Sequence, residues 1–127
     1  GVKIDIVIRG NCSLVPGLKG LSENIRCVGI IDRYLEHSRI LIFANGGKPR
    51  FFIGSADWMP RNLLNRIEVL TPVYDEEMQA DLMRTISYGM RDSTNGRLID
   101  GKGTDDFVNG EPFRSQEELY KELKSKY

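Results

Sequence analysis

Ser38-Arg39-Ile40-Leu41-Ile42-Phe43-Ala44, Asn45-Gly46-Gly47 and Arg50-Phe51-Phe52-Ile53-Gly54-Ser55 form the stretch whose reading decides the fold. Two runs of β-branched, aliphatic and aromatic residues flank an Asn-Gly turn, the signature of an antiparallel hairpin. Outward from it, residues 2–8 (Val-Lys-Ile-Asp-Ile-Val-Ile) and 25–31 read as strands, with a Gly- and Pro-bearing loop over 10–22 between them. Asp32 to Glu36 reads as a single helical turn, and residues 66–72 as a fifth strand. The period then changes. Met78, Leu82, Ile86 and Met90 recur at steps of four between Asp75 and Arg91, and Asp75, Glu76 and Glu77 suit the positive N-terminal end of a helix. Residues 95–106 read as a loop around a short strand, Arg97-Leu98-Ile99. Ser115-x-x-Glu118 is a capping box opening a last helix with Leu119 and Leu123 on one face. The pattern is α/β, and its hairpin makes the β-sheet mixed, flanked by helices.

The 127 residues, 40% apolar and 28% charged, suit one soluble globular domain and exclude a disordered chain. No apolar run approaches the roughly 20 residues of a membrane span. The start, Gly1-Val2-Lys3, carries neither Met nor an apolar leader, and is read as the edge of a piece cut from a longer protein, or of a processed one. Two cysteines, Cys12 and Cys27, and one histidine, His37, are too few for a disulfide framework or a Cys/His zinc site. Both thiols are expected to be reduced.

The net charge of zero hides an asymmetry. Residues 1–66 hold ten Lys and Arg against five Asp and Glu, and residues 67–127 hold eight against thirteen. Seven of the first ten are Arg, whose planar fork matches phosphate oxygens. The first half suits a polyanion and the second a solvated acidic scaffold, although an imbalance of this size also arises by chance.

His37 precedes a strand, and Arg39 follows two residues later, on the same side once the strand has begun. A histidine beside a fixed cation can hold a phosphate, the imidazole exchanging a proton while the cation neutralises oxygens. The plain alternative is a surface histidine without a task. Arg9 ends the first strand, at the edge where α/β folds place ligands. Gly54-Ser55-Ala56-Asp57-Trp58 ends the fourth with small residues that permit close backbone approach, and Arg61 and Arg66 frame the segment that follows. Each has its own plain reading: Arg9 snorkels, Gly54-Ser55 is only a turn, and Trp58 is core.

His37-Ser38-Arg39 followed by Gly54-Ser55-Ala56-Asp57 resembles a worn form of the phospholipase D superfamily signature, H-x-K-x-x-x-x-D and then G-S-x-N. Arg39 replaces the Lys, the acidic position falls on Ala44, and Asp57 stands where the Asn would be. The longer stretches Leu35-Glu36-His37-Ser38-Arg39-Ile40, Gly54 to Asn62 and Arg66-Ile67-Glu68-Val69-Leu70-Thr71-Pro72 are more specific, and are similar to the last catalytic domain of the bacterial polyphosphate kinase family. The loop Arg9 to Gly17, leading to Leu21-Ser22-Glu23-Asn24-Ile25, is similar to the same family, strongly to about residue 100 and more loosely in the tail, where Gln116-Glu117-Glu118-Leu119 fits its terminal helix.

The resemblance implies a phospholipase D-like domain, residues 1–127, as the C-terminal part of a chain that moves the γ-phosphate of ATP reversibly onto polyphosphate. It implies that the histidine that becomes phosphorylated lies in a preceding, related domain of a phosphoprotein. His37 would be a helper acid and phosphate contact, with Arg9 and Arg66 as further ATP and phosphate contacts and Arg39, Arg61 and Ser55 in supporting places. Mg2+ would be held mainly outside this segment, with ATP or ADP as substrate and no metal ligand here. The expected partners are ATP, ADP, polyphosphate and the preceding domains, in a homo-oligomeric full enzyme, with no nucleic acid. The expected location is cytoplasmic, with membrane association of the full enzyme. Such a segment alone is half of an active site, expected to be inactive by itself. The rivals are a phosphodiesterase or nuclease of the same superfamily, and a non-catalytic polyanion-binding module.

Overall fold

The computed structural model describes residues 1–126. Its strands are β1 (Ile4–Ile8), β2 (Ile25–Ile30), β3 (Ile40–Phe43), β4 (Arg50–Gly54), β5 (Leu70–Val73) and β6 (Gly96–Ile99). Its helices are α1 (Pro60–Leu64), α2 (Glu76–Arg91) and α3 (Ser115–Lys126). The chain forms two compact units, one of residues 1–35 and 84–127, the other of residues 36–83. The mixed α/β expectation holds, but the strands divide between two three-stranded sheets instead of sharing one.

In the first unit, β2 is central. β1 runs parallel to it, with Ile8 opposite Gly29, and β6 runs antiparallel, with Ile30 opposite Gly96. The core is Val28, Ile30, Met90 and Val108, with Val7, Ile86 and Leu98 packed on it. The stripe read from Met78 to Met90 is therefore a helix as expected, but its two ends differ. Met90 is buried and Met78 is exposed. Burial pushes the Cys27 thiol up to about 12, with Cys12 adding to the rise, so Cys27 stays protonated.

Buried polar groups tie the first unit together. Asp92 is fully buried and accepts hydrogen bonds from the N–H groups of Thr94 (3.0 Å), Asn95 (2.8 Å) and Ser115 (2.8 Å), and from the Ser115 hydroxyl (2.6 Å). This changes the capping-box expectation. The Ser115 hydroxyl is turned to Asp92, and the Glu118 N–H donates to the Arg114 carbonyl at 3.1 Å. The start of α3 is capped by a residue distant in sequence, which local pattern does not reveal. A Cβ at Gly96 would lie 2.2 Å from the Asp92 carbonyl oxygen, so only glycine allows this close approach.

The helical turn expected over Asp32 to Glu36 does not form. Asp32 instead accepts from its neighbour's Arg33 N–H at 2.6 Å and from Arg114 Nη2 and Nε at 2.6 and 3.0 Å. A local carboxylate and a remote guanidinium outcompete one isolated helical turn, whose nucleation is costly.

In the second unit, β4 is central and antiparallel to both neighbours. Phe43 faces Arg50, and Gly54 faces Leu70. The hairpin is closed by a 3-10 turn rather than a two-residue one. Asn45, Gly46 and Gly47 all have positive φ (46°, 63° and 90°), the left-handed region that Asn and Gly tolerate. The fifth strand begins at Leu70 rather than at Arg66; just before it, the Val69 N–H goes to the Ser55 side-chain Oγ at 3.1 Å instead of to a strand carbonyl.

Candidate functional site

The second unit collects most of the residues singled out above. His37 is exposed just before β3. The Arg39 carbonyl already accepts from the Gly54 N–H at 3.0 Å, which fixes its backbone to the end of β4. From there the Arg39 side chain does two things. Its Nε donates to Asp57 Oδ1 at 2.9 Å, and its Nη1 and Nη2 lie 3.3 and 3.1 Å from His37 Nδ1 and Nε2, with Nη1 also 3.3 Å from the His37 carbonyl oxygen. An arginine has only donors, so any ring nitrogen that it meets as a hydrogen-bond partner must be an unprotonated acceptor.

Asp57 stands where the resembled signature would have Asn, and it carries a charge that Arg39 meets. The hydrogen bond from Arg39 holds its carboxyl below the usual carboxylate range, with the charges of Arg39, His37 and Arg61 acting in the same direction. Arg61, exposed in α1, and Arg66, exposed before β5, bring further positive charge to the cluster.

Glu68 is the residue the sequence reading missed. It accepts from the Ser55 hydroxyl at Oε2 and from Asn62 Nδ2 at 2.7 Å. These hydrogen bonds, Ser55 first, hold its carboxyl below the usual range, with Arg66 and Arg39 contributing charge. Ser55 has little left to offer a ligand. Its hydroxyl proton goes to Glu68, its Oγ accepts from the Val69 N–H at 3.1 Å, and its own N–H donates to the Val69 carbonyl at 3.0 Å. Asn62 is 3% exposed, and its Oδ1 has no partner. No spacing rule connects Gly54-Ser55 to Glu68; only the β4–β5 pairing does. Trp58, whose plain alternative reading is core, is 81% exposed.

Arg9 belongs to the first unit. It is exposed immediately after β1, at the carboxyl end of the parallel β1–β2 pair, where the sequence reading expected it. It lines a cavity of about 430 Å³ with Ile30, Ile31, Asp32, Arg33, Tyr34 and Leu35. Among the described residues, no three His, Cys, Asp or Glu converge as a metal cluster would require. In the His37 cluster both carboxylates accept from protein donors, Asp57 from Arg39 and Glu68 from Ser55 and Asn62.

Comparison with known proteins bears on this arrangement. The family model described as "Polyphosphate kinase C-terminal domain 2" matches residues 1–117. The chain is 48% identical over 128 residues to a polyphosphate kinase of Vibrio vulnificus (strain YJ016), covering 98% of this chain and 18% of that protein. It is 41% identical to a polyphosphate kinase of Escherichia coli (strain K12), covering 98% and 19%. Its fold superposes on the crystal structure of polyphosphate kinase from Porphyromonas gingivalis with a TM-score of 0.92, at 42% identity, covering 98% of this chain and 20% of that one. The chain thus spans about a fifth of the length of these relatives. It belongs to the polyphosphate kinase family, as a member of its second C-terminal domain.

Proposed function

We propose that this chain supplies half of the phosphoryl-transfer site of a polyphosphate kinase, which moves the γ-phosphate of ATP reversibly onto polyphosphate. The observation that carries the reading is the His37–Arg39–Asp57 cluster, one exposed imidazole seated on a fixed guanidinium with Arg61 and Arg66 close by in charge. Phosphoryl transfer asks a protein for positioning and charge neutralisation more than for covalent help. In the second unit His37 contacts the phosphate and exchanges a proton, and Arg66 and Arg61 neutralise oxygens; in the first unit Arg9 is read by itself as a nucleotide-phosphate contact. Ser55, a supporting contact in this reading, also holds the Gly54-Ser55 turn through its hydrogen bonds to Glu68 and Val69.

The same reading takes the chain as a phospholipase D-like domain. The nucleophilic histidine comes from a related domain earlier in the full-length protein, and ATP, ADP and polyphosphate are the partners. Magnesium, which offsets phosphate charge when bound, is held by residues beyond this segment. The full enzyme is a cytoplasmic, self-associating phosphoprotein with contact to the membrane.

The test is His37→Ala in the full-length enzyme. Turnover should fall by about 10²–10⁴-fold, the usual worth of acid–base help, with the melting temperature unchanged because His37 is exposed. The segment alone should fold and make no polyphosphate from ATP. Unaltered turnover in the mutant, with binding lost at Arg9 and Arg66, would make the chain a polyanion-binding module. Phosphate release from a diester without ATP would make it a phosphodiesterase.

A further inference from the structure

We infer that Asp57 and Arg39 form a positioning relay for His37, in which the carboxylate fixes the guanidinium and the guanidinium fixes the imidazole. The inference rests on the reading of His37 as a participant in phosphoryl transfer.

The geometry is specific. Asp57 Oδ1 takes Arg39 Nε at 2.9 Å, the hydrogen on the inner edge of the fork, and this orients the plane of the remaining nitrogens. Those two nitrogens then lie at 3.3 and 3.1 Å from both ring nitrogens of one imidazole. A neutral imidazole has one acceptor nitrogen and a guanidinium only donates, so at most one of the two ring nitrogens accepts from Arg39 while the other is held close beside it. The side chain of Arg39 is only 21% exposed, between Asp57 at 40% and His37, which stands open. The Arg39 backbone is itself held by the Gly54 N–H, so neither end of the side chain is loose.

A histidine on an exposed segment before a strand would otherwise sample several rotamers. Holding one of them converts a collision into a fixed geometry, and misplacement by about 1 Å can cost about 10²-fold in rate. In the phospholipase D signature that the sequence resembles, this position is Asn, a neutral side chain. A carboxylate here can anchor a cation as Asn cannot, and Arg39, the cation it meets, stands where that signature has Lys. A lysine ammonium cannot be anchored at one edge and present a flat, two-nitrogen face at the other. The two departures from the signature therefore explain each other.

The experiment is a double-mutant cycle in the full-length enzyme, with His37→Ala, Asp57→Ala, Arg39→Lys and the two combinations with His37→Ala. Steady-state kinetics in ATP and melting temperatures are measured for each. Asp57→Ala and Arg39→Lys should each lower kcat by about 10–100-fold, with KM for ATP and melting temperature little changed. Each should cost nothing further when His37 is already Ala, because the relay acts only through the ring. If His37→Ala is slow but Asp57→Ala turns over normally, or if the losses multiply in the double mutants, the relay is wrong and the role of His37 stands. If Asp57 were only a local negative charge, its loss would lower KM and spare kcat, which also overturns the relay. Normal turnover in His37→Ala removes the reading beneath both. Should Asp57→Ala fold poorly, Arg39→Lys decides by the same cycle, since it keeps the charge and loses the fork.

Discussion

The two units use the same chemistry, carboxylates tying loops together, for opposite ends. In the first unit Asp92 is wholly buried, and Asp32 is nearly so at the side chain, each spent on fixed donors. In the second, Asp57 keeps an exposed face, and the groups it orders end in an open histidine. Apolar residues divide in the same way. The first unit buries Val28, Ile30, Met90 and Val108, whereas the second buries Phe51 alone among its large apolar side chains; both expose others, Leu21 and Ile31 in the first, Trp58, Leu64, Ile67 and Tyr74 in the second. A buried network is architecture, because leaving any member unpaired costs its full desolvation. An exposed one is free to move charge and protons, because water covers its failures.

The largest effect should come from breaking the buried network. Asp92→Ala strands the buried Gly96 and Ser115 N–H groups in the interior and takes the acceptor from those of Thr94 and Asn95 nearer the surface. It should cost about 3–5 kcal/mol in a denaturant titration, the scale of an uncompensated buried polar cluster. Ile30→Ala, at 4% exposure, should cost about 2–5 kcal/mol by the same assay. A loss below about 1 kcal/mol in either would mean that the first unit is not the stable half.

Next comes a test in which stability and activity part company. Arg9→Lys in the full-length enzyme should weaken ATP use about 10–150-fold, the worth of one charged hydrogen bond, and Arg9→Ala should weaken it more. Neither should move the melting temperature, since Arg9 is exposed at a strand end. A large fall in melting temperature with matching loss of activity would move Arg9 from the chemistry to the architecture.

The Asp32–Arg114 pair gives a smaller, pH-dependent effect. The hydrogen bonds from Arg114 hold the Asp32 carboxyl below its usual range. A depressed carboxylate adds stability above its unfolded-state value, and that stability is lost as pH falls through the folded value. Arg114→Met should therefore lower the melting temperature by a few degrees at neutral pH. The gap from the parent should close as pH falls below about 4, the ordinary range of a free aspartate. A gap independent of pH would assign the loss to packing. The smallest effect should be Ile67→Ala, which at 101% exposure should shift the stability of the chain by less than about 0.5 kcal/mol. Set beside Ile30→Ala, it is the sharpest form of the comparison, one substitution with two answers.

Much was legible in the chain itself. The alternation around Asn45-Gly46-Gly47, the change of period at Asp75 and the strand end at Arg9 are local signals, and local signals survive folding because each residue's neighbours along the chain are its neighbours in space. His37, Arg39, Arg61 and Arg66 could be singled out because their chemistry is rare or their spacing suggestive. What the tertiary structure alone decided were the pairings at long range. Asp92 caps α3 from 23 residues away, and Asp32 meets Arg114 across 82. Glu68 reaches Ser55 across 13, and the strands part into two sheets. None of these leaves a periodic trace, because a hydrogen bond between distant residues constrains two positions and nothing between them. The use of Asp57 is the clearest case. The sequence presents it as a defect in a signature, and only the folded position of Arg39 turns it into the anchor of the site.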